Sequence, residues 1–324
     1  MISGNSVIAQ VGKESTWGTA ATMQRQIRFA SEDFKYTAVK NQEPVLTGRI
    51  GASRYDLMGI RAEGSLSLLA RPDDLGIFLL GALGTEAAVS GEGAAKTHTF
   101  KAIDNNLTAH LPAFTFALDR KVKLYTYTGG KINTLSFSAA PEDYLTLDIE
   151  VFARDEAVAS SGLTPITPSS LKAFKFHQGK VYFAGSTTAF GHITNIGFDY
   201  NNNMENNIQT TGTGLYYYEF DPNTREISME LEMLYLPEAE TFRQSWYKTD
   251  DILKVKLEFK SDEIITGSTP YSLTIEVPAC QVTECSASVG GSEGIRQSVS
   301  LVGIDNAIND LITVTLVNGV SGKY

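Results

Sequence analysis

The chain has 324 residues, with 27 basic against 37 acidic side chains and a formal net charge of −10. That length favours two domains, each able to bury its own core without a disulfide or metal scaffold. The acidic balance opposes any function that grips phosphate backbones and suits a surface to which DNA does not adhere.

Residues 1–12 lack a basic region followed by an apolar stretch, so no secretion signal is expected. Apolar and polar residues then alternate with period two along most of the chain, which reads as β structure with one buried and one wet face. Phe34 and Tyr36 mark a leading strand, and residues 64–69 another. Residues 40–59 between them lack a core pattern, yet carry Val45, Leu46, Tyr55, Leu57 and Met58; the expectation is a long hairpin or arm that projects and packs on a neighbour.

Residues 72–84 place Leu75, Phe78, Leu79, Ala82 and Leu83 at helical spacing, with Pro72 in the first turn, Asp73 and Asp74 at the positive end and Gly84 as a stop. This single amphipathic helix is expected to cover one open sheet face. Its run of apolar residues, within 75–83, is the longest in the chain and too short to cross a bilayer. Residues 90–97 are a Gly/Ala-rich loop, Gly129-Gly130 is read as a hairpin turn, and residues 145–151 alternate as a strand. Residues 160–170, SSGLTPITPSS, are small, Pro-interrupted and uncharged, and read as a linker.

The second half follows the same plan. Phe198 and Tyr200 lead, residues 201–221 form a second patternless segment with Ile208, Leu215, Tyr216, Tyr217 and Tyr218, and Ile227, Met229, Leu231 and Met233 alternate with Glu226, Ser228, Glu230 and Glu232. Residues 237–248 repeat the helix with Ala239, Phe242 and Trp246 in phase, and Gly290-Gly291 reads as a turn. At a constant offset of 150, Ile132, Leu135 and Ser136 fall on Val282, Cys285 and Ser286, and Leu145, Ile149, Val151 and Asp155 on Ile295, Val299, Leu301 and Asp305. At 164 or 165, Phe34 and Tyr36 match Phe198 and Tyr200, Leu66 and Leu68 match Leu231 and Met233, and Pro72 matches Pro237. A repeat of that size fits a domain, not a solenoid unit. The expected fold class is therefore mainly β, with two tandem similar β-sandwich or barrel domains, residues 1–162 and 163–324. Each has one flanking α-helix and a long projecting loop or hairpin.

Candidate chemistry is sparse. Cys280 and Cys285, five apart on one strand, should point to opposite faces as reduced thiols. The histidines at 98, 110, 177 and 192 lack metal-ligand spacing, residues 201–207 have too few acids for a calcium loop, and Gly212-Thr213-Gly214 reads as a turn. No metal, cofactor or catalytic site is expected. Asp148 and Glu150 are better read as a solvated strand face than as an acid/base pair. A hydrolase using Asp148, Glu150 or His110 would need a cleft that the pattern does not show.

The stretch GKESTWGTA at residues 12–20 resembles the opening motif of major tail tube proteins of long, flexible-tailed bacteriophages. The order of arm, strand 64–69, helix from Pro72, hairpin from Leu111-Pro112 through Gly129-Gly130 and strand 145–151 is similar to theirs as well. The resemblance spans most of the chain, and its individual motifs are short. It implies a tail-tube β-sandwich or barrel fold in the tandem form, stacked as rings into the DNA conduit of the virion tail. It also implies assembly in the host cytoplasm, rings of three chains with pseudo-sixfold symmetry, a tape measure protein in the lumen, and neither specific DNA binding nor a membrane. A doubled module permits such a ring physically, the second domain of one chain docking on the first domain of the next until rotation closes. Asp148, Glu150, Glu226, Glu230 and Glu232 are the candidate lumen-facing acids, because a duplex with about one negative charge per 1.7 Å is repelled by them. The same faces could equally look outward to water. Val45, Leu46, Tyr55, Leu57, Ile208, Leu215, Tyr216 and Tyr217 are the candidate contacts to an adjoining ring. The alternative reading is a tandem β-sandwich adhesin or capsid-decorating protein that shows its aromatic loops to a partner.

Overall fold

The computed structural model describes residues 3–46, 48, 50–51, 53–91, 93–103, 110–160, 162–289 and 294–324. The first half contains strands β1 (Ile8–Lys13), β2 (Arg25–Ile27), β3 (Ser31–Glu32), β4 (Lys35–Gln42) and β5 (Tyr55–Leu69), then helix α1 (Leu75–Leu83). It continues with β6 (Gly84–Glu86), β7 (Lys96–Ala102), β8 (Phe114–Asp119), β9 (Leu124–Ala139), β10 (Thr146–Ala153) and β11 (Asp155–Ala159). The second half contains β12 (Gly179–Phe183), β13 (Ile193–Asn201), β14 (Glu226–Leu234) and helix α2 (Pro237–Thr241), which runs on into a π-helical turn, Phe242–Tyr247. The chain ends with β15 (Leu253–Thr266), β16 (Thr269–Ser288), β17 (Arg296–Gly303) and β18 (Thr313–Asn318).

The strand pairings of the first half recur in the second. β1–β8 corresponds to β12–β15, β8–β9 to β15–β16, and β9–β10 to β16–β17. Likewise β10–β5 corresponds to β17–β14, β5–β4 to β14–β13, and β9–β11 to β16–β18. The registers agree residue by residue. Ile149 lies opposite Leu135 and Leu66, and Val299 lies opposite Cys285 and Leu231.

Even the irregularities repeat. One extra residue interrupts each long strand, Asn133 in β9 and Thr283 in β16. A bulge of this kind resets the alternation of side chains. Cys280 and Cys285 therefore both point into the core instead of to opposite faces, and both are free thiols. Burial pushes the Cys280 thiol up to about 12, far from a reactive range. A second irregularity corrects the reading of Gly129-Gly130 as a turn. Gly129, at φ 68°, sits inside β9 where its pairing with β8 shifts register, and the β8–β9 turn itself is closed by Arg120 and Lys123. Gly290 and Gly291 lie outside the described residues.

Helix α1 differs from the expected amphipathic cover: all nine of its residues are buried. Gly76 abuts the Tyr324 ring, and Gly81 meets Ile132 and Phe114. Gly84, at φ 92°, ends the helix in the left-handed region and returns its N–H to the Leu80 carbonyl. The second helix is shorter and buries mainly Ala239 and Phe242, with Trp246 packed at its margin.

Among the described residues, two strand ladders join the halves, β9 with β13 and β18 with β7, and single bridges link Ile60 with Tyr216 and Tyr144 with Lys175. Through the first, one sheet runs in the order β4-β5-β10-β9-β13-β14-β17-β16, four strands from each half. Its inward face, with Leu66, Leu147, Phe137, Phe198, Met229 and Leu301, belongs to one hydrophobic core shared by both halves.

Burying all of α1 has a cost at its N-terminus. Asp74 is 2% exposed, and its Oδ2 has no hydrogen-bond partner. Burial raises its pKa from 3.8 to about 6. A raised carboxyl pKa means that the fold favours the protonated form, so stability falls as pH rises from about 4 to 6 and the full penalty stands above that. At about 1.4 kcal/mol per unit, the penalty is roughly 2–3 kcal/mol at neutral pH. Asp74→Asn should therefore stabilise the protein against urea by about 2 kcal/mol at pH 7.5, and the gain should vanish near pH 4.

Candidate functional site

The outer face of the eight-stranded sheet is polar because each strand turns its apolar residues inward. Cross-strand partners form continuous rows. One row runs Ser65, Glu150, Thr134, Asn201, Glu226; the next runs Ser67, Asp148, Ser136, Asp199, Ser228; a third runs Ser138, Gly197, Glu230, Ser300, Glu284. The structure thus brings Asp148, Glu150, Glu226, Glu230 and Glu232 onto one face of one sheet, across both halves. Asp199 and Glu284 join them: alternation with Phe198 and Tyr200 already turns Asp199 outward, and the seam sets it opposite Ser136, whereas Glu284 is outward only because of the bulge at Thr283.

Positive charge on this face is confined to its margins. Lys35 and Arg61 pair with Glu63 at 3.3 and 3.5 Å, and Arg296 pairs with Glu232 at 2.9 Å. Asp148, Asp199, Glu226, Glu230 and Glu284 have no ion pair among the described residues. Glu150 accepts a hydrogen bond from Asn133 Nδ2 at 2.7 Å. Serines and threonines flank Asp148 and Glu150, while His110 pairs with Asp221 at 2.9 Å. These groups form no acid/base constellation. No cluster of potential metal ligands exists among the described residues, and no described helix is long and apolar enough to cross a membrane.

The two patternless segments have different fates. In the first, Lys35–Gln42 and Tyr55–Leu69 extend as a β-hairpin, and Val45, Leu46, Tyr55 and Leu57 are exposed, Leu46 completely. The second, residues 201–221, lies on the first half of its own chain. Ile60 donates its N–H to the Leu215 carbonyl, Tyr217 is buried against Gly59, and Phe220 meets Trp17 and Phe152 edge-on at 6.1 Å. The Arg154 guanidinium sits 4.9 Å from the Trp17 ring and 4.8 Å from the Tyr216 ring, and the Tyr216 hydroxyl donates to Asp155 at 3.0 Å. Ile208 and Leu215 stay largely exposed.

Sequence reasoning missed two residues that secure this arm. Asn202 is fully buried and donates from Nδ2 to the carbonyls of Ala82 and Ile132 at 2.9 and 3.0 Å. Lys131, also fully buried, lies 2.8 Å from Glu219 and 3.5 Å from Asp221. Lifting the arm would strand that ammonium in the interior, at a cost of about 3–5 kcal/mol.

The motif at residues 12–20 builds the surface on which the arm rests. The buried Glu14 carboxylate accepts from the Gly18 N–H at 2.7 Å, the Thr115 hydroxyl at 2.7 Å and the Gly129 N–H at 2.8 Å. Trp17 Nε1 donates to the Gly129 carbonyl at 3.1 Å, which fixes the indole beneath Phe220 and Arg154. A Cβ on Gly12 would stand 2.3 Å from the Thr22 carbonyl oxygen, so glycine is required there.

A family model described as phage tail tube protein matches residues 4–303. The chain belongs to the phage tail tube protein family. It is a structural component of the bacteriophage tail, in a family whose members self-assemble into stacked tubes. The solved tail tube of SPP1, from solid-state NMR and cryo-EM, is 14% identical over 46% of this chain and 81% of its own, with a TM-score of 0.32. No curated protein matches the chain.

Proposed function

We propose that residues 1–162 and 163–324 are tandem tail-tube domains, and that three chains close into a ring of pseudo-sixfold symmetry whose bore is lined by the acidic sheet face. The observation that carries this reading is the single sheet across both halves, with Asp148, Glu150, Glu226, Glu230 and Glu232 on one side and the common core on the other. A sheet closed into a ring needs a wall without adhesive cations, because every exposed Lys or Arg that meets a phosphate releases counterions and holds the duplex. Here the basic residues sit at the margins, in ion pairs. The chain acts in long, flexible tails as a passive conduit and performs no catalysis. A tape measure protein fills the lumen before DNA passes.

Axial stacking is assigned to the arm of the first half, whose Val45, Leu46, Tyr55 and Leu57 find no cover within the chain. In the second half, Ile208 and Leu215 remain available for such contact, whereas Tyr216 and Tyr217 are occupied internally. Replacing residues 41–58 by a short Gly-Ser turn should leave the melting temperature of the subunit nearly unchanged and abolish tubes in negative-stain images. Tubes of normal length from that variant would remove the arm from the account.

The placement of the acidic face is tested by charge reversal. Tubes carrying Asp148→Lys, Glu226→Lys and Glu230→Lys should retain linear duplex DNA at about 50 mM salt, lose it with a steep dependence toward about 200 mM, and support reduced DNA delivery in phage. If the reversed tubes hold DNA only on their outer surface, seen as decoration in micrographs, the face looks outward.

A further inference from the structure

The clasp that holds the second-half arm brings together an amine and two carboxyl groups. β9 carries Lys131 opposite Phe152, and the lysine side chain is 0% exposed, its Nζ enclosed without a hydrogen bond of normal geometry. The arm sets two carboxylates against that nitrogen, Glu219 Oε1 at 2.8 Å and Asp221 Oδ1 at 3.5 Å. The same Asp221 oxygen accepts a hydrogen bond from His110 Nδ1 at 2.9 Å. Beside these groups, Phe152 and Phe220 belong with Ile103, Leu111, Met204 and Tyr217 to a small buried apolar cluster.

We propose that Lys131 and Asp221 condense after folding into an isopeptide bond, with Glu219 as the proton relay, so that the arm is fastened covalently to the first half. Glu219 takes one proton from the Nζ ammonium, and the electron pair freed on Nζ forms a bond to Asp221 Cγ. The bond from Cγ to one carboxyl oxygen then breaks. That oxygen leaves as water with the two protons that Nζ gives up, both delivered through Glu219. An ammonium and a carboxylate thus become one neutral amide and one water, without oxidant, metal or external reagent. His110 polarises the Asp221 carboxyl through its hydrogen bond and is not consumed. The ion pair of Lys131 with the arm is the state that precedes the bond.

Between free molecules in water such a condensation is unfavourable, but groups held in contact react with effective molarities of about 10⁵–10⁸ M. The product also removes a charge from a fully buried position, and the desolvation cost of the pair disappears with it. The Glu219 and Asp221 side chains remain 28 and 29% exposed, which leaves the released water a way out. The internal repeat supplies a contrast. Offset by 150 from Lys131 stands Gln281, which is no amine nucleophile, so one bond per chain is expected. Because it lies within the subunit, it forms whether or not tubes assemble, and its test is separate from that of the tube reading.

Intact-mass spectrometry of the full chain, denatured after expression, reads the bond directly. The wild type should lie about 18 Da, one water, below the mass of its sequence, and Asp221→Asn should reach the same product by losing about 17 Da, one ammonia. A tryptic digest of the wild type should contain a branched peptide that joins Lys131 to Asp221. Lys131→Arg should stay at full mass, and Glu219→Gln should slow the condensation by roughly 10²-fold in a time course after synthesis. Wild-type protein at full mass overturns the bond, as does a loss of water that maps elsewhere in the chain. A branch between Lys131 and Glu219 overturns the roles given to the two carboxyl groups. A Glu219→Gln chain that condenses as fast as wild type overturns the relay. Should either substitution prevent folding, the wild-type mass and its branched peptide still decide.

Discussion

The pairing of β9 with β13 is the constraint on which the rest of this molecule depends. Without it, the halves would meet only through the β18–β7 ladder, single bridges and the arm of residues 201–221, and the polar face would be split in two. With it, both halves share a core and present one polar face. Six cross-strand pairs contribute roughly 1–6 kcal/mol on their own. The arm of residues 201–221 adds more, because it buries Phe220 and Tyr217 at about 1.5–3 kcal/mol each and neutralises the buried Lys131. The seam is thus fixed by what lies across it more than by its ladder.

The same arrangement gathers the acidic residues on one face, at a cost. Like charges spread along one sheet repel, and a monomer would be more stable without them. They persist at outward positions of β10, β13, β14 and β16, flanked by serine, threonine and asparagine, so each is hydrated and none is driven inward. On the proposed lumen reading, small neutral groups with carboxylates outside any described ion pair offer a duplex neither cations nor apolar grip.

Much of this was legible in the sequence. The alternation of β14, residues 226–233, is uninterrupted, and the sequence offset of 150 reappears in the strand registers. What was hidden follows from single-residue events and distant contacts. One bulged residue, Thr283, turned the expected opposite orientation of Cys280 and Cys285 into a shared inward one, and no local signal distinguishes it from an ordinary strand threonine. Gly129 looked like a turn because glycine with positive φ serves turns and bulges alike. The helix read as amphipathic because its apolar spacing was regular, while the residues that cover its remaining sides, such as Tyr324 and Phe114, come from far along the chain. The fates of the two arms diverge for the same reason: Asn202, Lys131 and Arg154 gain their meaning only from partners tens of residues away.

A side-chain-resolution cryo-EM map of the assembled tube tests the central claim most directly. The account predicts three chains per ring and a bore wall made of the sheet from β4 to β16, with Asp148, Asp199, Glu226 and Glu230 facing the lumen. A bore lined instead by β12 and β15, with those carboxylates on the outer surface of the tube, would contradict it.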